Sequence, residues 1–96
     1  MSDRQIVGTV GKDGTIYSGS GFTVNRGGKG VYQVAFEEPF TEALAVVATP
    51  YNEDTSDFGV ATVHSLDREG FRLDARGARS DWTDRGFCFI AVGNDD

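Results

Sequence analysis

Apolar and polar residues alternate in short segments along the chain, and glycine, asparagine or aspartate separates these segments. The clearest segment is Val31–Phe36, where Tyr32, Val34 and Phe36 fall on one face by the period-two rule of a strand. We predict that this face belongs to the core. Residues 37–39, which include a proline, should end the strand because proline cannot donate to a β-ladder.

The same pattern predicts eight short strands. Asp-Gly at residues 13–14 favours a tight hairpin turn, and the glycine-rich residues 26–30 indicate a second hairpin loop. No window shows a convincing helical spacing of apolar residues. We therefore predict one all-β domain over residues 1–96, a small antiparallel β-sandwich of about seven to eight strands. The predicted strands cover residues 5–10, 15–17, 22–25, 31–36, 44–51, 58–66, 71–76 and 86–93.

Residues 44–51 and 86–93 are apolar on both faces, which predicts central strands with something packed on each side. In a lone small sandwich only one of these faces would be core. The second face of the first segment, formed by Ala45, Val47 and Thr49, therefore suggests contact with a partner subunit.

Residues 71–76 alternate strictly, with an apolar residue at every second position. This pattern is typical of a strand with one face in the core and one in solvent. We predict that the charged residues of the segment face outward: Arg72, Asp74 and Arg76.

The chain is acidic, with 15 Asp and Glu against 9 Lys and Arg and a net charge of −6. This balance disfavours binding to nucleic acid or to anionic membranes, since both require basic patches. No apolar run approaches the roughly 20 residues of a membrane span. Residues 1–5 lack the apolar core of a signal peptide. We expect a soluble chain without membrane insertion, compatible with an extracellular or particle-associated setting that the sequence does not specify.

Few residues here are suited to metal binding or catalysis. Cys88 is the only cysteine, so no internal disulfide can form, and its apolar neighbours predict a buried small side chain. His64 is the only histidine, which excludes a multi-histidine metal site and favours a structural or rim role. The acidic residues 52–57 do not match the spacing of an EF-hand loop. We therefore expect no cofactor, no metal and no enzymatic activity.

The polar connection over residues 77–85 is the best candidate for a binding site. It carries Trp82, the only tryptophan of the chain, among two aspartates and two arginines. An exposed indole could stack on a sugar, and the neighbouring charges could bind its hydroxyl groups. Equally, Trp82 could anchor the loop or lie in a subunit contact, where large aromatic residues are enriched. The candidate ligand-binding residues of this connection and of the strand before it are Trp82, Asp81, Asp84, Arg76 and Arg79.

From residue 30 onward the sequence resembles the H-type lectin domain. The similar features are Val-x-Phe-x-x-Pro-Phe at 34–40, an apolar strand at 44–49, a variable polar strand at 58–65, Gly-Phe-x-Leu at 70–73 and Phe-Ile-Ala-x-Gly at 89–93. They span roughly two thirds of the chain. Where those lectins usually place a tryptophan in the closing strand, this chain has Phe89.

The whole chain is similar to bacterial and phage domains at the ends of tail-fibre-like or collagen-like proteins. The additional motifs are Gly-x-x-x-x-Asp-Gly-x-Ile at 8–16, Gly-Ser-Gly-Phe-Thr-Val at 19–24 and Asp-x-x-Phe-x-Phe-Ile-Ala-x-Gly at 84–93. The resemblance implies a homotrimeric β-sandwich, in some cases paired into a hexamer, with a sugar held in a groove between protomers. If the strands pack as the resemblance implies, the candidate ligand-binding residues His64 and Tyr51 line the same groove as Trp82. The expected function is non-enzymatic binding or adhesion, with carbohydrate or another surface ligand recognised at the grooves between protomers. The alternative is a purely structural trimerisation or capping domain.

Overall fold

The computed structural model describes residues 2–51, 59–77 and 82–95. Two four-stranded antiparallel sheets make up the fold: sheet A has the strand order β2-β1-β8-β5, and sheet B has the order β3-β4-β7-β6. The predicted all-β antiparallel sandwich is thus confirmed. No helix in the described ranges is long and apolar enough to cross a membrane. The strands are β1 (Ser2–Val10), β2 (Ile16–Gly19), β3 (Phe22–Gly28), β4 (Val31–Phe36), β5 (Glu42–Tyr51), β6 (Gly59–Asp67), β7 (Gly70–Gly77) and β8 (Gly86–Asp95).

The core lies between the two sheets and is dominated by aromatic rings. Phe89 on β8 packs edge-on against Phe22 and Phe71 of sheet B, with ring centroids 4.9 and 5.0 Å apart. Such offset contacts add to the free energy gained from burying the rings. The predicted inward face of β4 is confirmed. Phe40, which follows the proline after β4, is also buried in the core. The buried apolar residues are Ile6, Val10, Phe22, Tyr32, Val34, Phe36, Phe40, Phe71, Leu73, Ala75, Phe87, Phe89 and Ala91.

The lateral position of β5 differs from the prediction. This strand is the edge of sheet A and pairs only with β8, whereas the sequence predicted a central strand. Apolar residues on both faces of a strand indicate what packs above and below it. They do not indicate which strands pair with it within the sheet. The other doubly apolar segment, β8, is central as predicted and lies between β1 and β5.

Cys88 and Asp74 also depart from their predictions. Cys88 is only partly buried, because Phe87 and Phe89 point inward and the alternation turns Cys88 to the outer face of sheet A. Asp74 is 6% exposed although it lies on the outward-facing register of β7. The Nε of Arg72 donates to Asp74 Oδ1 at 2.7 Å, and this contact compensates the burial of the carboxylate.

Candidate functional site

Trp82 lies in the connection between β7 and β8 and forms an isolated antiparallel bridge with Arg76. The backbone N–H of Thr83 donates to the carbonyl of Ala75 at 3.2 Å, which holds the connection against β7. The guanidinium carbon of Arg76 lies 3.9 Å from the centroid of the Trp82 ring, in cation–π geometry. Trp82 is 36% exposed, so this indole and its stacked cation form a surface element.

Gly30, in the turn between β3 and β4, allows the close packing beside Trp82. Its φ of +75° is a conformation that residues with a Cβ rarely adopt. A Cβ at this position would lie 2.5 Å from the Ala75 carbonyl oxygen and 3.2 Å from Cε3 of Trp82. The sequence signal for this approach was the glycine-rich stretch 26–30, which indicated a hairpin loop but not its contact with the tryptophan.

The carboxylate of Asp84 joins the β7–β8 connection to the β3–β4 hairpin. It accepts hydrogen bonds from Arg26 Nε and Nη2, at 3.0 and 2.6 Å, and from the backbone N–H of Gly30 at 2.8 Å. Partial burial disfavours the charged carboxylate. The bonds from Arg26 and Gly30 outweigh that cost and hold the pKa of Asp84 below its ordinary value. We call Asp84, Arg26 and Gly30 the Asp84 clasp.

Tyr32 links the same end of sheet B to sheet A. Its hydroxyl donates to the carbonyl of Lys12 at 2.5 Å, and Lys12 lies in the turn between β1 and β2. Burial raises the pKa of Tyr32 to about 12, and the nearby Asp84 charge adds to the increase. The phenol of Tyr32 therefore remains a hydrogen-bond donor at neutral pH and holds the β1–β2 turn against sheet B.

Arg85 was not among the residues that the sequence identified. It is 5% exposed, and a Cβ on Gly59 would lie 2.1 Å from its Nε. Gly59 therefore provides the space for this guanidinium at the start of β6. Nothing in the sequence distinguishes Arg85 from the other charged residues of the connection, because its burial depends on a glycine 26 positions earlier in the chain.

The structure brings only some of the candidate residues together. Trp82 and Arg76 are in contact, whereas the carboxylate of Asp84 faces its clasp partners. Arg79 and Asp81 lie outside the described residues. Tyr51 is exposed at the end of β5, where it pairs with Gly86 at the start of β8.

His64 is exposed on β6, at a register shift between Val63 and Ser65. Arg76 pairs with Val60, four residues before His64. At about 3.3 Å per residue, His64 lies roughly 13 Å along the strand from that pair. Within one chain, His64 is therefore separate from the Trp82–Arg76 pair.

No cluster of three or more metal-ligating side chains occurs within the three described ranges. No family model matches the chain, and no curated protein or solved structure matches it either.

Proposed function

We propose that this domain is a non-enzymatic, oligomeric binding module that recognises carbohydrate or another surface ligand through Trp82 and Arg76. The observation that carries the proposal is the partly exposed indole with a guanidinium stacked on it. An indole face offers a flat apolar surface, and a guanidinium offers N–H donors to hydroxyl or carboxylate oxygens. The apolar surface and the hydrogen-bond donors that a sugar-binding site needs are thus adjacent in the Trp82–Arg76 pair.

Rigid support of the tryptophan also favours binding. Gly30 packs against one edge of the ring, and the Asp84 clasp ties the residues that follow Trp82 to the β3–β4 hairpin. A side chain that is already held in place loses less conformational entropy when a ligand binds. In the assembly that we propose, a homotrimer or hexamer, Tyr51 or His64 of a neighbouring copy would complete the groove.

A glycan array followed by a fluorescence titration tests the proposal. Trp82 is the only tryptophan of the chain, so a sugar stacked on it should change the emission directly. Trp82→Ala should weaken binding at least fivefold, while Trp82→Phe should retain part of it. Tyr17→Ala removes an exposed aromatic residue of β2 and should leave binding unchanged. Failure of the wild-type protein to bind across a broad array would overturn the proposal.

The second candidate is a structural trimerisation or capping domain without a ligand. The observation that favours it is an exposed row of aliphatic side chains on sheet A: Val7, Ile90 and Val47. Sedimentation and the array together separate the two candidates. An oligomer that binds no glycan would support the structural domain.

A further inference from the structure

The outer face of sheet B has a polar depression at the opposite end of β7 from the Trp82–Arg76 pair. Its volume is about 220 Å³. Ala35 on β4 and Gly70 on β7 pair across the ladder in its floor, and their small size leaves the hollow. We call the following six residues the polar groove: Ala35 and Gly70 in the floor, with Gln33, Ser65, Asp67 and Glu69 as its polar walls.

The polar groove and Trp82 lie on the same face of the sheet. Trp82 forms an antiparallel bridge with Arg76, and residues paired in this way present their side chains on one side. Gly70 and Arg76 are separated by an even number of residues on β7, so both lie on its outward parity. At about 3.3 Å per residue they are roughly 20 Å apart. A ligand that reaches both ends must therefore be a chain, since one sugar ring is much shorter.

A row of hydrogen-bonding side chains lies between the two ends. Arg72 on β7 pairs with Gln33 on one side and with Ser65 on the other. Arg72 Nε donates to Asp74 Oδ1 at 2.7 Å, which orients the guanidinium, and its terminal nitrogens carry further N–H donors. The amide of Gln33 and the hydroxyl of Ser65 can both donate and accept. Such a row suits a ligand that is rich in hydroxyl groups, because these also donate and accept.

The charges around the polar groove disfavour an acidic ligand. Asp67 and Glu69 place two carboxylates at its end, and the whole chain carries a net charge of −6. The positive charge of Arg72 is paired with the carboxylate of Asp74. A carboxylate or sulfate on the ligand would therefore meet net repulsion here. Uncharged hydroxyl groups can instead donate hydrogen bonds to the carboxylates.

The far end of the polar groove is fixed before any ligand binds. Asp67 Oδ1 accepts hydrogen bonds from the backbone N–H groups of Glu69 and Gly70, at 2.8 and 3.1 Å, and these bonds hold the β6–β7 turn. Groups that are already in place lose less conformational entropy on binding. The groove is smaller than the roughly 300 Å³ at which sites for whole drug-sized ligands begin, so it fits one end of a longer molecule.

We propose that the Trp82–Arg76 site takes an uncharged oligosaccharide, whose chain follows the outer face of β7 and ends in the polar groove. One sugar unit stacks on the indole, the next units pass Arg72, and the last hydrogen-bonds to Gln33 and Ser65. This inference rests on the proposed function and deepens it, because it specifies the length and the charge of the glycan.

A size series of oligosaccharides tests the inference. Neutral fragments of cellulose, starch and chitin, from one to six sugar units, are titrated against the emission of Trp82. In a series that binds, affinity should rise at least tenfold from the monosaccharide to the tetrasaccharide, the gain expected from about two added hydrogen bonds. Oligogalacturonate of the same length is the acidic comparison and should bind more weakly.

Substitutions in the polar groove should remove the gain with length and leave monosaccharide binding unchanged. Gln33→Ala deletes an exposed amide of the row, and Ala35→Leu fills the floor of the groove. Gln5→Ala deletes an exposed amide from β1 of sheet A and should behave as the wild type. Circular dichroism of each variant checks that it remains folded.

The outcomes separate this inference from the proposed function. Equal affinity for monosaccharide and tetrasaccharide, with binding still lost in Trp82→Ala, would overturn the inference alone. Tighter binding of oligogalacturonate would do the same, as would a full gain with length in both Gln33→Ala and Ala35→Leu. Absence of binding across the glycan array would overturn the proposed function and this inference with it.

Discussion

Replacing Asp84 by asparagine should destabilise the domain by removing the charge of the Asp84 clasp while keeping the size of the side chain. Asparagine still offers one oxygen to the N–H of Gly30, but it no longer pairs with the Arg26 guanidinium. The substitution therefore isolates the electrostatic part of the contact. Because the clasp holds the chain directly after Trp82, the emission of that tryptophan should shift as well.

The expected loss follows from how buried each contact is. The Gly30 bond is partly buried, and a bond to a charged acceptor stabilises by about 1 kcal/mol more than a neutral one. Both side chains of the Arg26–Asp84 pair are about a third exposed, so solvent screening leaves that pair a small contribution. We expect the free energy of unfolding to fall by about 1 kcal/mol and Tm to fall by about 4–8 °C.

The effect should depend on pH with a definite sign. The pKa of Asp84 lies below its ordinary value of 3.8 in the folded chain, since Arg26 and Gly30 outweigh the opposing effect of burial. The stabilisation is therefore complete above that ordinary value and is lost as the pH falls through the lowered one. Asp13, whose pKa is lowered mainly by the Thr15 N–H bond, titrates in both proteins and cancels from their difference.

Thermal melts of wild type and Asp84→Asn from pH 2 to pH 8 measure this difference. Asp3→Asn removes an exposed carboxylate of β1 and should stay within about 0.5 kcal/mol of the wild type. Equal stability of Asp84→Asn and wild type at pH 7 would refute the reasoning. A gap that persists undiminished at pH 2 would show that the charge is not its source.

Two further predictions concern the core. Gly8→Ala should destabilise by about 1–3 kcal/mol in urea unfolding, because its Cβ would lie 2.4 Å from Phe22 Cζ and 3.0 Å from Phe89 Cε1; an unchanged midpoint would contradict that packing. Tyr32, with its pKa raised to about 12, should stay protonated to that pH in an ultraviolet absorbance titration. Stability should therefore fall as the pH rises from about 10 to 12, and Tyr32→Phe should remove this part of the fall.

The local pattern was sufficient to predict the strands but not their arrangement. Alternation in Val31–Phe36 correctly placed Tyr32 and Phe36 in the core, because a side chain's face within a strand depends only on parity. Sheet order depends instead on which distant strands pair. No local signal showed that β5 would lie at an edge, or that Cys88 would fall on the outward parity of β8.

The candidate site could be predicted from the sequence only where its residues lie close together along the chain. Arg76 and Trp82 are six residues apart, and the sequence could place them in one region of the chain. The partner of Asp84 is Arg26, 58 residues away, and no spacing rule connects them. The role of Asp84 as a fixed link, rather than a ligand-facing carboxylate, therefore emerged only from the fold.

The position of β8 has a consequence for how the domain folds. β8 follows β1 to β7 in chain order, yet it pairs with β1 along the whole of Ser2–Val10 and with β5 on its other side. Until residues 86–95 have left the ribosome, β1 and β5 have no central partner and the aromatic core lacks Phe87 and Phe89. Folding of sheet A must therefore wait for β8, and contacts of such long sequence separation are slow to form.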